Sequence, residues 1–368
     1  MSVSPVKTSA SISADHEQRS IETRIGERNR GVPKEAPAQG RIAALDFTKG
    51  ALVLIMVLYH WLNYFAGPEG SYYRYLAFLP PSFICIAGFL ISHVYFSKYR
   101  ATDAKLPFRL LVRGLKIMAI FVGLNILIGA AAFKADGGKR LLEMFSPAGL
   151  WAIYASGNML GGKLVAFYVL LPISYVLILS AGLLVASRRF RGVFHAATAA
   201  GLAGVAALTM LGEKSRNLEL LTVGLLGISI GYIPIESING LLRRYWLVGL
   251  AYLFYVVAIT IWNTPYSLQV TGVLVTLMLL YALGMRSGEQ TTSARTVILL
   301  GKYSLFAYIA QIAILQVMRR MVSENLPAWA QGVTFLAATA LTIAAVEVTN
   351  RLRKRSGFAN RIYSAVFA

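Results

Sequence analysis

Three residues near the start of the first apolar stretch, Asp46, Lys49 and His60, have the types and spacing to do chemistry. They stand in Arg41-Ile-Ala-Ala-Leu-Asp46-Phe-Thr-Lys49-Gly50, which runs without a break through Ala51 to Tyr59 and into His60. On a helix the step from Lys49 to His60 is about 16 Å at about 1.5 Å per residue and close to a whole number of turns, so both side chains project from one face. Asp46 lies one turn before Lys49, placed to orient its ammonium group. An imidazole that titrates near neutrality is thereby held partway across an apolar layer, with a cation and a carboxylate below it. Such a set handles a proton at depth, with His60 as its acceptor.

The elements that must position these residues follow from composition. The chain has 368 residues, 57% of them hydrophobic and only 14% charged. Apolar runs recur along nearly all of it after position 50, which is the pattern of an all-α, polytopic membrane protein. About ten helices are expected, at 48–66, 77–97, 112–133, 161–186, 193–212, 218–235, 245–263, 267–285, 296–318 and 329–349. A net charge of +20 would suit nucleic acid. The cations, however, fall mainly in the tails and in alternate short loops, so orientation in a bilayer explains them and no nucleic-acid partner is expected. Cys85 is the one cysteine, which excludes an intrachain disulfide and a cysteine zinc site. No metal is expected.

Residues 1–40, rich in Ser, Arg, Glu, Gly and Pro, read as a disordered basic cytoplasmic tail without the apolar core of a signal peptide. Residues 41–350 form the transmembrane domain and 351–368 a second basic cytoplasmic tail. Lys98, Arg100, Arg188, Arg189, Arg191, Arg243, Arg244, Arg286 and Arg295 all lie in one alternate set of loops. With an even number of spans, both termini are then cytoplasmic. The longest loop, about 134–160, carries Trp151 and Tyr154 and reads as an interfacial element or lid on the opposite side. Inside the spans, Asn63, Asn125 and Gln311 read as interhelical hydrogen-bonding groups, and Glu347 as a solvated or arginine-paired carboxylate.

Three stretches resemble the membrane-bound acyltransferase 3 superfamily. Asp46-x-x-Lys49 followed by ten residues and His60 is similar to its first-helix signature. Ser82 to Ser92, with Gly88-Phe89-Leu90-Ile91, is similar to its second helix. Leu300-Gly301-Lys302-Tyr303-Ser304, followed by Tyr308, is similar to its late-helix pattern. The chain departs from that pattern at Lys163-Leu-Val-Ala before Phe167-Tyr168, where a paired-glutamate motif is missing, and at Gln311, which replaces a histidine. The resemblance implies a multi-pass inner-membrane enzyme moving an acetyl or succinyl group from cytoplasmic acyl-CoA to a hydroxyl of an extracytoplasmic glycan or glycolipid. A heparan-glucosaminide-type N-acetyltransferase is the related alternative.

That chemistry needs a base, an oxyanion donor and a clamp for the thioester. His60 takes the first role, and Lys49 with Asp46 would hold a phosphate of coenzyme A or the helix start. Arg109, Arg113 and Lys116 form a second cationic cluster for the donor's phosphates. Asn63, Tyr64, Ser304 and Tyr308 are the candidate substrate contacts, the last two as oxyanion donors. Acyl-CoA is a donor substrate, and no permanently bound cofactor is expected. A secondary transporter using His60 as its proton or substrate site is the reading from another class. It predicts helices broken at matching positions, which the sequence does not display. A noncatalytic scaffold would leave the placement of Lys49 and His60 unexplained.

Overall fold

The computed structural model describes residues 42–66, 70–96, 105–160, 165–262, 265–287, 291–322 and 327–367. The tail at 1–40, the loop cations Lys98 and Arg100, and the start of the expected fourth span at 161–164 lie outside the described residues. Among the described residues the chain is helical and has no strand.

The first helix, α1 (Ala43–Trp61), has no proline and is dominated by Leu, Val, Ile and Ala. Asp46 in its first turn complements the helix dipole. Thr48 keeps its hydroxyl satisfied by donating to the Ala44 carbonyl, 2.8 Å away. A π-helical segment, Leu62–Ala66, continues α1. The short α2 (Tyr73–Leu76) leads into α3 (Leu79–Leu90), which ends in a second π-helical segment at Ile91–Phe96. The long α4 (Lys105–Asp136) is followed by α5 (Lys139–Phe145) and α6 (Pro147–Trp151). Then come α7 (Leu170–Ser187), α8 (Val193–Met210), α9 (Arg216–Ile230), α10 (Ile235–Leu242), α11 (Tyr245–Ile261) and α12 (Tyr266–Ser287). The chain closes with α13 (Thr292–Lys302), α14 (Ser304–Met321), α15 (Ala328–Arg355) and α16 (Gly357–Phe367).

Seven of these helices are long and apolar enough to cross a membrane, or up to nine if each of two bent pairs is one span. The apolar α11 is shorter. Each of the ten expected segments overlaps one or two of these elements, and the protein is a multi-pass membrane protein.

Three expectations are corrected. The ninth segment is not one helix, because α13 and α14 meet at 92° around Tyr303. The sixth ends early, since α9 and α10 meet at 97° across a break containing Pro234, which disfavours helix in the residue before it. The fourth begins at Leu170, after a turn in which Phe167 has φ +55. A positive φ is uncommon for a non-glycine residue and marks a constrained site. The long loop is itself helical through α5 and α6, with Trp151 exposed as an interfacial residue would be. The expected C-terminal tail is also ordered: α15 runs on to Arg355 and α16 folds against Tyr303 and Phe306.

Helix α1 is the hub, packed by α3, α12, α13, α14 and α15. Its tightest crossing is with α13. A Cβ on Gly50 would collide with the Val297 carbonyl, and one on Gly301 with the Asp46 carbonyl. Small residues at a helix crossing let backbones touch, which in a bilayer supplies packing that hydrophobicity alone cannot.

Candidate functional site

The two ends of α1 are built differently. At the first, the Lys49 ammonium lies 2.6 Å from the Asp46 carboxylate, and Asp46 is buried. The expected pairing is therefore present. It sits beside the Gly50–Gly301 crossing, where α13 closes over the helix.

At the other end, the His60 Nε2 is buried and has no hydrogen-bond partner among the described residues. The Tyr59 ring meets the His60 ring edge-on at 5.3 Å, and the Tyr308 ring lies 6.1 Å from it. Tyr308 comes from α14, which packs along α1 because the bend at Tyr303 redirects the chain beside it. The Tyr308 hydroxyl meets the backbone of Val169, and its ring contacts Phe167 edge-on at 6.0 Å. The Asn125 amide holds the Phe167 turn by donating to the Ala166 carbonyl at 2.8 Å and to the Phe121 carbonyl at 3.0 Å. Asn125 thus makes the interelement bond expected of it. Gln311 does not: it is fully buried, and both its amide nitrogen and oxygen lack partners among the described residues. Native interiors leave few such groups unpaired, so these orphaned atoms call for an explanation beyond packing.

Two cavities are lined by residues that contact the surroundings of His60, and His60 itself lines neither. The first, about 610 Å³, lies between α4 and α14; its walls include Leu124, Leu127, Ala313 and Val317, and Tyr64, Phe167, Arg319 and Arg320 also line it. Gln316 reaches the Tyr64 hydroxyl at 3.3 Å, and the Arg319 guanidinium lies 5.8 Å above the Tyr64 ring. The second, about 580 Å³, is polar, lined by Asn158, Lys214, Arg216, Glu219, Tyr266 and Gln269. Arg216 also lies 5.9 Å over the Tyr168 ring. Phe167 and Tyr168, adjacent in sequence, thus look toward different cavities.

Of the expected site residues, the structure brings His60 and Tyr308 together and pairs Asp46 with Lys49. Tyr64 lines the first cavity, whereas Asn63 is exposed. Ser304 is half-buried at the bend, one turn before Tyr308. Arg109, Arg113 and Lys116 share one exposed stripe of α4, a helix that packs along α7 rather than α1. They are not gathered around Lys49. Glu347 is held by Arg351 at 2.8 Å, as expected. Tyr59 lies against His60, as its place next to it in the sequence leads one to expect. The sequence reading missed Phe167 and Arg216, and only the Phe167-Tyr168 pair following a Gly-rich stretch gave any local signal.

No protein-family model, no curated protein and no solved structure matches the chain.

Proposed function

We propose that the chain is a membrane-embedded acyltransferase that moves an acetyl or succinyl group from a coenzyme A thioester to a hydroxyl of a glycan or glycolipid acceptor. The observation that carries this reading is the buried, unpartnered His60 Nε2, set against Tyr308 at one end of a helix whose other end bears a buried ion pair. The acceptor O–H gives its proton to His60 as its oxygen bonds to the thioester carbonyl carbon. The Tyr308 hydroxyl is the donor nearest the resulting oxyanion. Collapse breaks the C–S bond, and the leaving thiolate takes the proton back from the imidazolium. In this reading both termini are cytoplasmic and the donor enters there, which the excess of cations in one alternate set of loops supports. A transfer to an amino group, as in heparan-glucosaminide-type enzymes, would use the same base.

The experiment is transfer or hydrolysis of labelled acetyl- and succinyl-CoA by the detergent-purified chain, with no membrane gradient. Turnover by the parent that is lost in His60→Ala supports the reading. Equal rates in the two proteins would overturn it.

The two bent helix pairs favour a second reading, a secondary transporter, because broken spans near a buried polar group are how such proteins build substrate sites. Gradient-dependent uptake into proteoliposomes, without acyl transfer, would select it.

A further inference from the structure

The second cavity collects two cations and one carboxylate. Lys214, Arg216 and Glu219 all line it, and both cations lie within electrostatic range of Glu219, yet among the described residues none of the three closes a salt bridge. Its other polar walls are mostly committed to structure in a way that leaves these groups facing the space. The Tyr266 hydroxyl donates to the Glu219 backbone carbonyl at 3.0 Å, so the Glu219 carboxylate is not what it holds. Gln269 donates its amide N–H to the Ala77 carbonyl at 2.9 Å, which fixes the side chain. Behind the lining residue Arg216, whose guanidinium lies over the Tyr168 ring, the Tyr168 hydroxyl and the Asn217 amide oxygen are buried without hydrogen-bond partners among the described residues, although neither residue lines the cavity.

We propose that this cavity is a binding site for a small hydroxylated anion, a phosphate- or carboxylate-bearing ligand with neighbouring hydroxyls. Lys214 and Arg216 hold the acid group, the guanidinium through paired N–H donors, and Glu219 accepts from a hydroxyl. Two cations against one carboxylate select a negative ligand, and the volume lies within the roughly 300–1,000 Å³ of small-molecule sites. The site also adjoins the histidine. Arg216 stacks on Tyr168 and lies within electrostatic range of Tyr59, whose ring touches His60. Its assignment as the acceptor site rests on the acyl-transfer reading; the binding itself does not.

The test is calorimetric titration of the full chain in detergent with sn-glycerol 3-phosphate, with no acyl donor present. Inorganic phosphate and glycerol are the comparators. Saturable binding of the ester, tighter than inorganic phosphate and absent for glycerol, is expected. Lys214→Gln and Arg216→Gln should each weaken it about tenfold, and Glu219→Gln should erase the preference over inorganic phosphate. Lys214 is exposed, so its replacement leaves the fold intact even if Arg216→Gln loosens the stack on Tyr168. Competition by phosphatidylglycerol in nanodiscs would identify the ligand as a lipid headgroup, and its absence would identify a soluble anion. Failure to bind any anion, or parent-like binding by Lys214→Gln, overturns the proposal. Anion binding without acyl transfer would leave the site standing and sink the enzyme reading instead.

Discussion

The Lys49 end and the His60 end of α1 belong to one helix but differ in how their polar groups are treated. At Lys49 the charge is answered one turn away by Asp46 at 2.6 Å, and backbone meets backbone where Gly50 and Gly301 cross. At His60 the imidazole Nε2 has no partner among the described residues, Gln311 one turn beyond Tyr308 is orphaned as well, and Tyr64, in the π-helical segment that follows, lines a cavity. Satisfied polar groups stabilise, whereas unsatisfied buried ones are tolerated only where something else uses them. The contrast separates the part of α1 that holds the bundle from the part to which the proposed chemistry is assigned.

The sharpest way to break this contrast is at the crossing. Gly301→Leu places a side chain where the Asp46 carbonyl already sits, so folded, monodisperse protein should be lost altogether, as read by size-exclusion chromatography after detergent extraction. Gly123, which has open space around its Cβ position, is the control and should accept Ala without loss.

Next comes the ion pair. Lys49→Met leaves the buried Asp46 carboxylate without this cation and should destabilise the protein by about 3–5 kcal/mol, seen as a lower thermal midpoint. The double variant Lys49→Met, Asp46→Leu should recover much of that loss, because no isolated charge then remains. If the double variant stays as unstable as the single one, the pair's role is not mutual compensation.

His60→Gln is expected to act on rate instead. Turnover should fall about 10²-fold, equivalent to about 2.7 kcal/mol of barrier, while the thermal midpoint stays near that of the parent. A large drop in midpoint with unchanged turnover would exchange the roles assigned to the two ends.

The smallest effect is expected at Gln311. Replacing an orphaned carboxamide by Leu removes two unsatisfied groups and should be neutral or stabilising, by up to about 1–3 kcal/mol. A stabilised Gln311→Leu with reduced turnover would place the amide among the groups that meet substrate. A destabilised one would give it a structural partner and narrow the difference between the two ends.

Much of the fold was legible because hydropathy reports on the bilayer directly. The ten apolar segments, the buried Asp46–Lys49 pair one turn apart and the Glu347–Arg351 pair all follow from spacing within single helices. The bend at Tyr303 was not legible. Leu299-Leu300-Gly301-Lys302-Tyr303-Ser304-Leu305 contains no proline, and its apolar run continues on both sides, so the window that detects a span reads through the corner. The break after Ile230 did carry a signal, Gly231 to Pro234, which the expected span wrongly included. The surroundings of His60 were illegible for another reason. Tyr308, Phe167 and Arg216 are separated from it by more than a hundred residues of chain, and nothing in one sequence says which of nineteen tyrosines or many arginines will arrive there. Exposure likewise separates Asn63 from Tyr64, two neighbours that periodicity alone placed in the same candidate site.

The corner at Tyr303 is fastened by what comes after it. The Tyr303 ring packs on Tyr363 at 5.3 Å, its hydroxyl reaches the Asn350 amide oxygen at 3.2 Å, and the Arg353 guanidinium lies 4.0 Å from the Tyr363 ring and 5.4 Å from Tyr303. Phe367 adds an edge-on contact to Phe306. During synthesis, therefore, α14 emerges before the residues that brace its entry exist. The angle that delivers Tyr308 to His60 is thus braced by Asn350, Arg353 and Tyr363, all of them translated after it.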